Sequence, residues 1–238
     1  MAHILAKDLY VQYPVYDVRG RSLKNTVLRA ATGGLIAQDA DRHLLVKALN
    51  GVSFELRDGD RVGLVGHNGS GKSTLLRVLA GAFEPVHGQL RVEGRVASML
   101  NLWVGMDQEA SGYENAYLRA VIMGFRPREI KRLVEEVVEF SGLGEYIDMP
   151  MRTYSSGMAV RLAFAISTAV SADILLMDEW LAVGDEAFAS KVRQRLQEMV
   201  GKARILVLAS HDENMIRRHC NKLLRLSQGK VESFDALR

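Results

Sequence analysis

Cysteine is nearly absent from this chain: Cys220 is the only one in 238 residues. That excludes an internal disulfide and a thiolate zinc cluster, and it suits a reducing compartment. The six histidines are scattered singly, so no imidazole cage for a metal is visible either. Long apolar runs are also lacking, since no stretch approaches the roughly 20 residues that span a bilayer. The N-terminus, Met1-Ala2-His3-Ile4-Leu5-Ala6-Lys7-Asp8, has neither the basic nor the apolar region of a secretory leader. A cytosolic protein is the expectation. Charge of one sign is not in large excess: the formal net charge is +3 and the isoelectric point about 9.0. No aromatic residues interleave with a basic face, so nucleic acid is not expected as a partner.

What is present is an ordinary globular composition. Hydrophobic residues make up 48% of the chain, enough for a well-buried core in one large domain or two small ones. The mild positive charge is unevenly placed. Between Pro14 and Lys47, the cations Arg19, Arg21, Lys24, Arg29, Arg42 and Lys47 face only Asp17, Asp39 and Asp41. Such a segment could meet anionic lipid headgroups or phosphate, or it could be a solvated loop.

The most specific local pattern is Gly66-His67-Asn68-Gly69-Ser70-Gly71-Lys72-Ser73. It follows an apolar strand, Arg61-Val62-Gly63-Leu64-Val65, and opens a helix beginning near Lys72 and running through Thr74 to Ala80. Glycines allow successive N–H groups to point inward as a cradle for phosphate oxygens, and the helix N-terminus adds unpaired donors. Lys72 is placed to reach the β- and γ-phosphates of ATP or GTP, and the Ser73 hydroxyl to ligate Mg²⁺. About a hundred residues on, Ile174-Leu175-Leu176-Met177-Asp178-Glu179 reads as an apolar strand ending in two acids. That pattern sets a carboxylate, Asp178, beside Mg²⁺ at the carboxyl edge of a parallel sheet. Glu179 is the candidate general base for an attacking water.

Between these motifs the periodicity becomes helical. Ser111-Gly112-Tyr113-Glu114-Asn115 is a helix start. Pro127-Arg128-Glu129 opens a second helix, with Ile130, Leu133, Val134, Val137 and Val138 at helical spacing. A third helix is expected after Thr153-Tyr154-Ser155-Ser156-Gly157-Met158, where two serines and a glycine offer a second anion site.

With these segments in view, the chain resembles the nucleotide-binding subunits of ATP-binding cassette (ABC) transporters over nearly its whole length. Tyr154-Ser155-Ser156-Gly157-Met158 is similar to the family signature Leu-Ser-Gly-Gly-Gln, with Ser155 and Gly157 kept at the two positions that would touch γ-phosphate. The resemblance implies an α/β P-loop NTPase fold of ABC ATPase type: a RecA-like parallel-sheet core, an antiparallel β portion and a helical insert. It also implies a homodimer, because in that family the signature serves nucleotide held by the other subunit. Under the same resemblance Asp185 ends a loop that communicates across the dimer. His211, after the strand within Arg204–Asp212, contacts γ-phosphate and helps hold Glu179 and the water. Tyr13 stacks on adenine. The nucleotide contacts are then Tyr13, the loop residues Gly66, His67, Asn68, Gly69, Ser70, Gly71, Lys72 and Ser73 with Thr74, and Ser155, Gly157 and Asp185. Lys72, Glu179 and His211 are the catalytic set. The family's Mg²⁺-sensing glutamine has no direct counterpart: alignment with Val96–Asn101 puts Asn101 there, one methylene shorter, and Gln108 is the alternative. Ser73, Asp178 and Asn101 therefore form the expected metal set. One domain is anticipated, with a core at 1–104 and 168–238, a helical lobe at 105–167 and a family-specific insertion at 14–46.

Within the family, the stretch Asp148–Met158 with Arg161-Leu162-Ala163-Phe164, the stretch Leu181–Asp185 and the extra segment after Tyr13 look like the bacterial polysaccharide exporters for O-antigen, capsule or teichoic acid. This resemblance implies an ATPase that powers export of a lipid-linked polysaccharide through separate integral-membrane permease subunits, peripheral on the cytoplasmic face of the bacterial inner membrane. With the chain ending at Arg238 soon after the last cassette strand, the C-terminal sugar-binding domain of some O-antigen exporters is not expected. The alternatives are a cassette ATPase for another exported substrate and a regulatory cassette that binds ATP without hydrolysis. A soluble cassette for DNA repair or translation would need a coiled-coil insertion, zinc-binding cysteines or a second cassette.

Overall fold

A computed structural model describes residues 1–15, 36–38, 44–179 and 186–237. They fall into two compact units, the first Met1–Val96, Leu176–Glu179 and Arg204–Arg238, the second Ala97–Leu175 and Trp180–Ala203. Most of the basic segment from Pro14 to Lys47, and Asp185, lie outside the described residues.

The first unit is built of two sheets. One is antiparallel, with order β2-β3-β1-β5 over β1 (His3–Val15), β2 (Ile36–Gln38), β3 (Leu44–Arg57) and β5 (His87–Glu93). In β1 the buried positions run Ala2, Ile4, Ala6 and then Leu9, Val11, so the alternation changes phase once. The change sits at a register shift between Ala6 and Leu9, where Asp8 takes φ +52 and its N–H donates to Ser53 Oγ at 2.8 Å. Because side chains alternate strictly along a strand, that one irregularity decides which face every later residue occupies. It puts Tyr13 in phase with buried Leu9 and Val11 instead of opposite them.

The other sheet carries the parallel core. β4 (Arg61–Val65) lies between β8 (Ile205–Ala209) and β9 (Lys222–Ser227), parallel to both, in the order β10-β9-β4-β8-β7 with β7 (Ile174–Asp178) and β10 (Lys230–Ala236). Val62, Leu64 and all of β8 are buried, which is why these strands read as continuous apolar runs. α1 (Lys72–Leu79) follows β4 and buries Leu75, Leu76, Val78 and Leu79; α6 (Glu213–His219) follows β8, capped by Asp212, whose carboxylate accepts from the N–H of Asn214 and Met215. The expected parallel core and antiparallel β portion are both present.

The second unit is mainly helical. β6 (Val96–Ser98) leads the chain towards α2 (Gly112–Ile122), α3 (Pro127–Ser141), α4 (Ser156–Thr168) and α5 (Glu186–Lys202). α2 starts as expected: Ser111 Oγ accepts from the Glu114 N–H and the Glu114 carboxylate accepts from the Ser111 N–H at 2.8 Å, a reciprocal cap. That backbone donor holds the Glu114 carboxyl below its ordinary range. α3 opens at Pro127, and its Ile130, Leu133, Val134 and Val137 are buried in one apolar cluster with Ala116, Leu162 and Ile166, while Val138 is partly buried against it. Phe140, Phe164 and Phe188 pack on one another with ring centroids 5.7 to 6.2 Å apart. The Arg195 guanidinium lies over Phe140 and pairs with Glu136. Among the described residues no helix is long and apolar enough to cross a membrane.

Candidate nucleotide site

β4 delivers the chain to Val65 and α1 takes it up at Lys72, so the intervening residues must turn sharply while exposing their N–H groups. Gly66 (φ +153) and Gly71 (φ +108) permit this. A Cβ on Gly66 would fall 2.2 Å from the Leu226 carbonyl oxygen, and one on Gly71 2.7 Å from that of Ala48. Both obstacles are backbone, so any side chain at either place would displace the loop. The Gly229 N–H donates to the Ser70 carbonyl at 2.9 Å, fastening the loop to the β9–β10 turn. Lys72 is 8% exposed, and its Nζ donates to the carbonyls of Gly66 at 2.8 Å and His67 at 3.2 Å. The ammonium is held across its own loop, beside the N–H groups that form the cradle.

A cavity of about 340 Å³ opens over this loop. Asn68, Gly69, Gly71, Lys72, Ser73 and Thr74 line one side, and Tyr13, Asp178 and His211 come to it from other elements. Gly66 and Ser70 form the loop behind, and His67 is exposed, with its ring Nδ1 2.8 Å from the Asn68 carbonyl. Tyr13 packs its ring edge against Phe83, with centroids 5.5 Å apart. Ser73 Oγ donates to Asp178 Oδ2 at 2.7 Å. The next residue, Glu179, is not regular strand: it adopts φ +65, and its N–H donates to the Ala209 carbonyl at 2.8 Å. That bond brings the ends of β7 and β8 together, leaving His211 Nε2 4.0 Å from Glu179 Oε1, with both side chains more than half exposed. His211 is held between Ser210 and Asp212, since the Asp212 N–H donates to Ser210 Oγ at 3.0 Å while the Asp212 carboxylate caps α6.

Three further residues of β3, Val46, Lys47 and Ala48, complete the lining. Sequence reasoning missed them and grouped Lys47 with the basic segment ahead of it. The strand pairing explains its true place: Lys47 and Val46 stand opposite Gln12 and Tyr13 in the antiparallel sheet. The signal that could have found it is the apolar alternation of Val52, Phe54 and Leu56, which marks β3 as a strand whose N-terminal continuation passes Tyr13.

The remaining candidates lie in the second unit. Ser155 is the N-cap of α4, its Oγ accepting from the Met158 N–H at 3.3 Å, so Ser156 and Gly157 belong to the first helical turn and do not precede the helix. A Cβ on Gly157 would have no neighbour nearer than Ser155 Oγ at 4.0 Å, and its φ is not positive. Nothing among the described residues therefore requires glycine there. The Tyr154 hydroxyl donates to the Tyr146 carbonyl at 2.7 Å. Burial pushes its phenol above the ordinary value; the neighbouring Gly112 N–H works in the other direction, and the Asp148 carboxylate adds to the rise. Asn101 is exposed and turned onto its own loop, its Oδ1 accepting from the Trp103 N–H at 3.0 Å.

Chemically, the first unit offers a cradle of N–H groups with an ammonium beside it, a hydroxyl and a carboxylate oxygen in contact, and an exposed carboxylate next to an imidazole. These donors fit a nucleoside triphosphate with Mg²⁺. Mg²⁺ is held through one or two protein oxygens plus phosphate, and Ser73 with Asp178 supplies that pair without a larger cluster; among the described residues no group of three or more His, Cys, Asp or Glu gathers as a metal site.

The fold and this loop define a P-loop nucleoside triphosphatase of the cassette type. Residues 49–182 match the ABC transporter family. Over 239 residues, covering 100% of both chains, the sequence is 42% identical to the O-antigen export system ATP-binding protein RfbE of Yersinia enterocolitica. It is 38% identical over 187 residues to the teichoic acids export ATP-binding protein TagH of Lactococcus lactis, spanning 79% of this chain and 40% of that protein's length. Among solved structures, the ATP-binding cassette MJ0796, a dimer in a post-hydrolysis state bound to ADP and Pi, is similar in fold with a TM-score of 0.68 at 19% identity and 99% coverage of each chain. The chain belongs to the ABC transporter family and is an ABC-type, nucleotide-binding ATPase.

Proposed function

We propose that this protein is the ATP-hydrolysing subunit of a transporter that exports a lipid-linked polysaccharide through separate membrane permease subunits. The observation that carries this reading is the end-to-end match to an O-antigen export ATP-binding protein, at 42% identity with full coverage of both chains. The likeness to a teichoic acids export ATP-binding protein supports the same broad class of exporter. The protein would work as a homodimer on the cytoplasmic face of the bacterial inner membrane, held there by the permease. Its cassette would be one functional domain, with core residues 1–104 and 168–238 and a helical lobe at 105–167.

In this reading the loop from Gly66 to Ser73, with Thr74, holds the phosphates and Tyr13 takes the adenine. Bound Mg²⁺ supplies positive charge to the β- and γ-phosphate oxygens. Lys72 releases its two loop carbonyls to pair with phosphate. Ser73 and Asp178 would hold the metal, and Asn101 would stand in for the family's glutamine. Glu179 accepts the proton of the attacking water while His211 keeps carboxylate and water in position. Ser155 and Gly157 of one subunit present the α4 N-terminus to the nucleotide on the other, which Asp185 helps to register.

Reconstitution with its permease in lipid vesicles tests the proposal. ATP turnover should rise when permease and lipid-linked glycan are both present, and Glu179→Gln should accumulate ATP-bound dimers with most turnover gone. A cassette that copurifies with no membrane partner, or that hydrolyses ATP equally well after Glu179→Gln, would contradict it.

A further inference from the structure

The residue before the signature serine departs most visibly from the family pattern, because a tyrosine stands where leucine is usual. Leucine can only fill space, whereas Tyr154 makes directional contacts. Its hydroxyl donates to the Tyr146 carbonyl at 2.7 Å and faces the N–H of Gly112, the first residue of α2. The first N–H groups of a helix have no partner within it, and the hydroxyl stands beside one of them.

Gly112 fits this arrangement from the other side. Its φ is not positive, so the backbone does not call for glycine there. A Cβ would lie 2.5 Å from the Tyr154 hydroxyl oxygen, 2.9 Å from Ile147 Cδ1 and 3.2 Å from the Ile147 carbonyl oxygen. The tightest of these contacts is with the hydroxyl.

The same two segments are joined along their length. The Met151 N–H donates to the Ala110 carbonyl at 3.0 Å and the Arg152 N–H to that of Gln108 at 2.9 Å, and Ser111 pairs with Pro150 in a β-bridge. Arg152 also pairs with Glu109 at 3.0 Å, but both side chains are well exposed and that ion pair adds little. Tyr154 is the last link of this ladder, and Ser155, the N-cap of α4, follows it directly.

We infer that Tyr154 is a positioning residue: its hydroxyl, bonded to the Tyr146 carbonyl and packed against Gly112, sets the position of the Ser155 side chain and the α4 N-terminus for the nucleotide of the partner subunit. This rests on the proposed role of Ser155 across the dimer. Removing one neutral hydrogen bond corresponds to about threefold to tenfold in an equilibrium.

The experiment uses the full chain carrying Glu179→Gln, with ATP and Mg²⁺ as probe, and reads dimerisation by sedimentation, nucleotide affinity of the single subunit by fluorescence, and the thermal midpoint. Tyr154→Phe should weaken ATP-driven dimerisation by about threefold to tenfold while subunit affinity stays unchanged and the midpoint falls by no more than about 6 °C. Added to Ser155→Ala it should cause no further loss, because it acts through that serine. Gly112→Ala should cause a larger loss with Tyr154 present than after Tyr154→Phe, which removes the tightest of the contacts a Cβ would make. Unchanged dimerisation with Tyr154→Phe, or losses additive with Ser155→Ala, would overturn the inference while sparing the dimer reading. Full dimerisation of Ser155→Ala alone would remove both.

Discussion

Ser73 Oγ and Asp178 Oδ2 stand 2.7 Å apart in a hydrogen bond that joins the first turn of α1 to the end of β7 across 105 residues of sequence. Two oxygens already in contact need little rearrangement to share a hard cation: the hydroxyl turns its proton away and both lone pairs face the metal. Asp178→Asn leaves the hydroxyl a partner, so the fold should survive, but it removes the charge proposed to draw Mg²⁺. ATP affinity of the parent protein should fall by at least about tenfold, or 1.4 kcal/mol, when EDTA replaces Mg²⁺, and the variant should lose most of that difference. Equilibrium binding of a fluorescent ATP analogue in both buffers checks it. An intact Mg²⁺ dependence in the variant would place the metal elsewhere.

Glu179 occupies the left-handed region at φ +65, which costs a residue with a Cβ roughly 1–2 kcal/mol. The strain persists because the Glu179 N–H is fixed to the Ala209 carbonyl at 2.8 Å, and it leaves the carboxylate beside His211. Glu179→Gly relieves the strain and removes the proposed base. The variant should melt about 2–4 °C higher for a gain near 1 kcal/mol, yet show almost no ATP turnover. Calorimetry and a phosphate-release assay on the same preparation separate the two effects. A lower melting temperature would mean that the side chain stabilises the fold.

Much of this site could be read from local sequence because its chemistry is local. The β4–α1 loop needs glycines where backbone approaches backbone, and Asp178 ends an apolar strand whose meaning comes from its pairing with that loop. What could not be read depends on partners distant in sequence. The face taken by Tyr13 is set by the irregularity at Asp8, a backbone event with no clear residue signature. Lys47 looked like the end of a basic segment until strand pairing placed it opposite Gln12. Tyr154 looked like a simple departure from leucine, and its meaning appears only with Gly112 and Tyr146 beside it. Likewise, the roles of Ser210 and Asp212 in bracketing His211 follow from where α6 begins, and helix starts are among the least sharply marked features of a sequence.

Gly157 lies in the first turn of α4, where glycine weakens a helix and where a Cβ would meet open space. Alanine should therefore be harmless to the isolated subunit and can add up to about 1 kcal/mol of stability. If this turn receives nucleotide from a second subunit, the added methyl would stand between them. Gly157→Ala should keep or raise the melting temperature and keep subunit ATP affinity, while lowering ATP-driven dimerisation and turnover at least about tenfold. Equal dimerisation in variant and parent would show that nothing approaches this helix closely.

Cys220 is buried at the end of α6, and burial pushes its thiol up to about 12 from 9.0, with the Arg61 charge opposing the rise only in part. The thiolate is the reactive form, so at pH 8 the folded protein should label very slowly with iodoacetamide and the urea-unfolded chain quickly. As the only cysteine, it reports unfolding without interference. The sign of the pH effect follows from linkage. Above pH 9 the unfolded thiol loses its proton while the folded one keeps it, so the unfolded state gains stability. This contribution to stability is complete below pH 9 and is lost as pH rises towards 12. Cys220→Ala should flatten the decline in stability between pH 9 and 11, at the cost of a small cavity, and denaturant titrations of both proteins across that range measure it. Parallel pH profiles would show that the thiol titrates alike in both states.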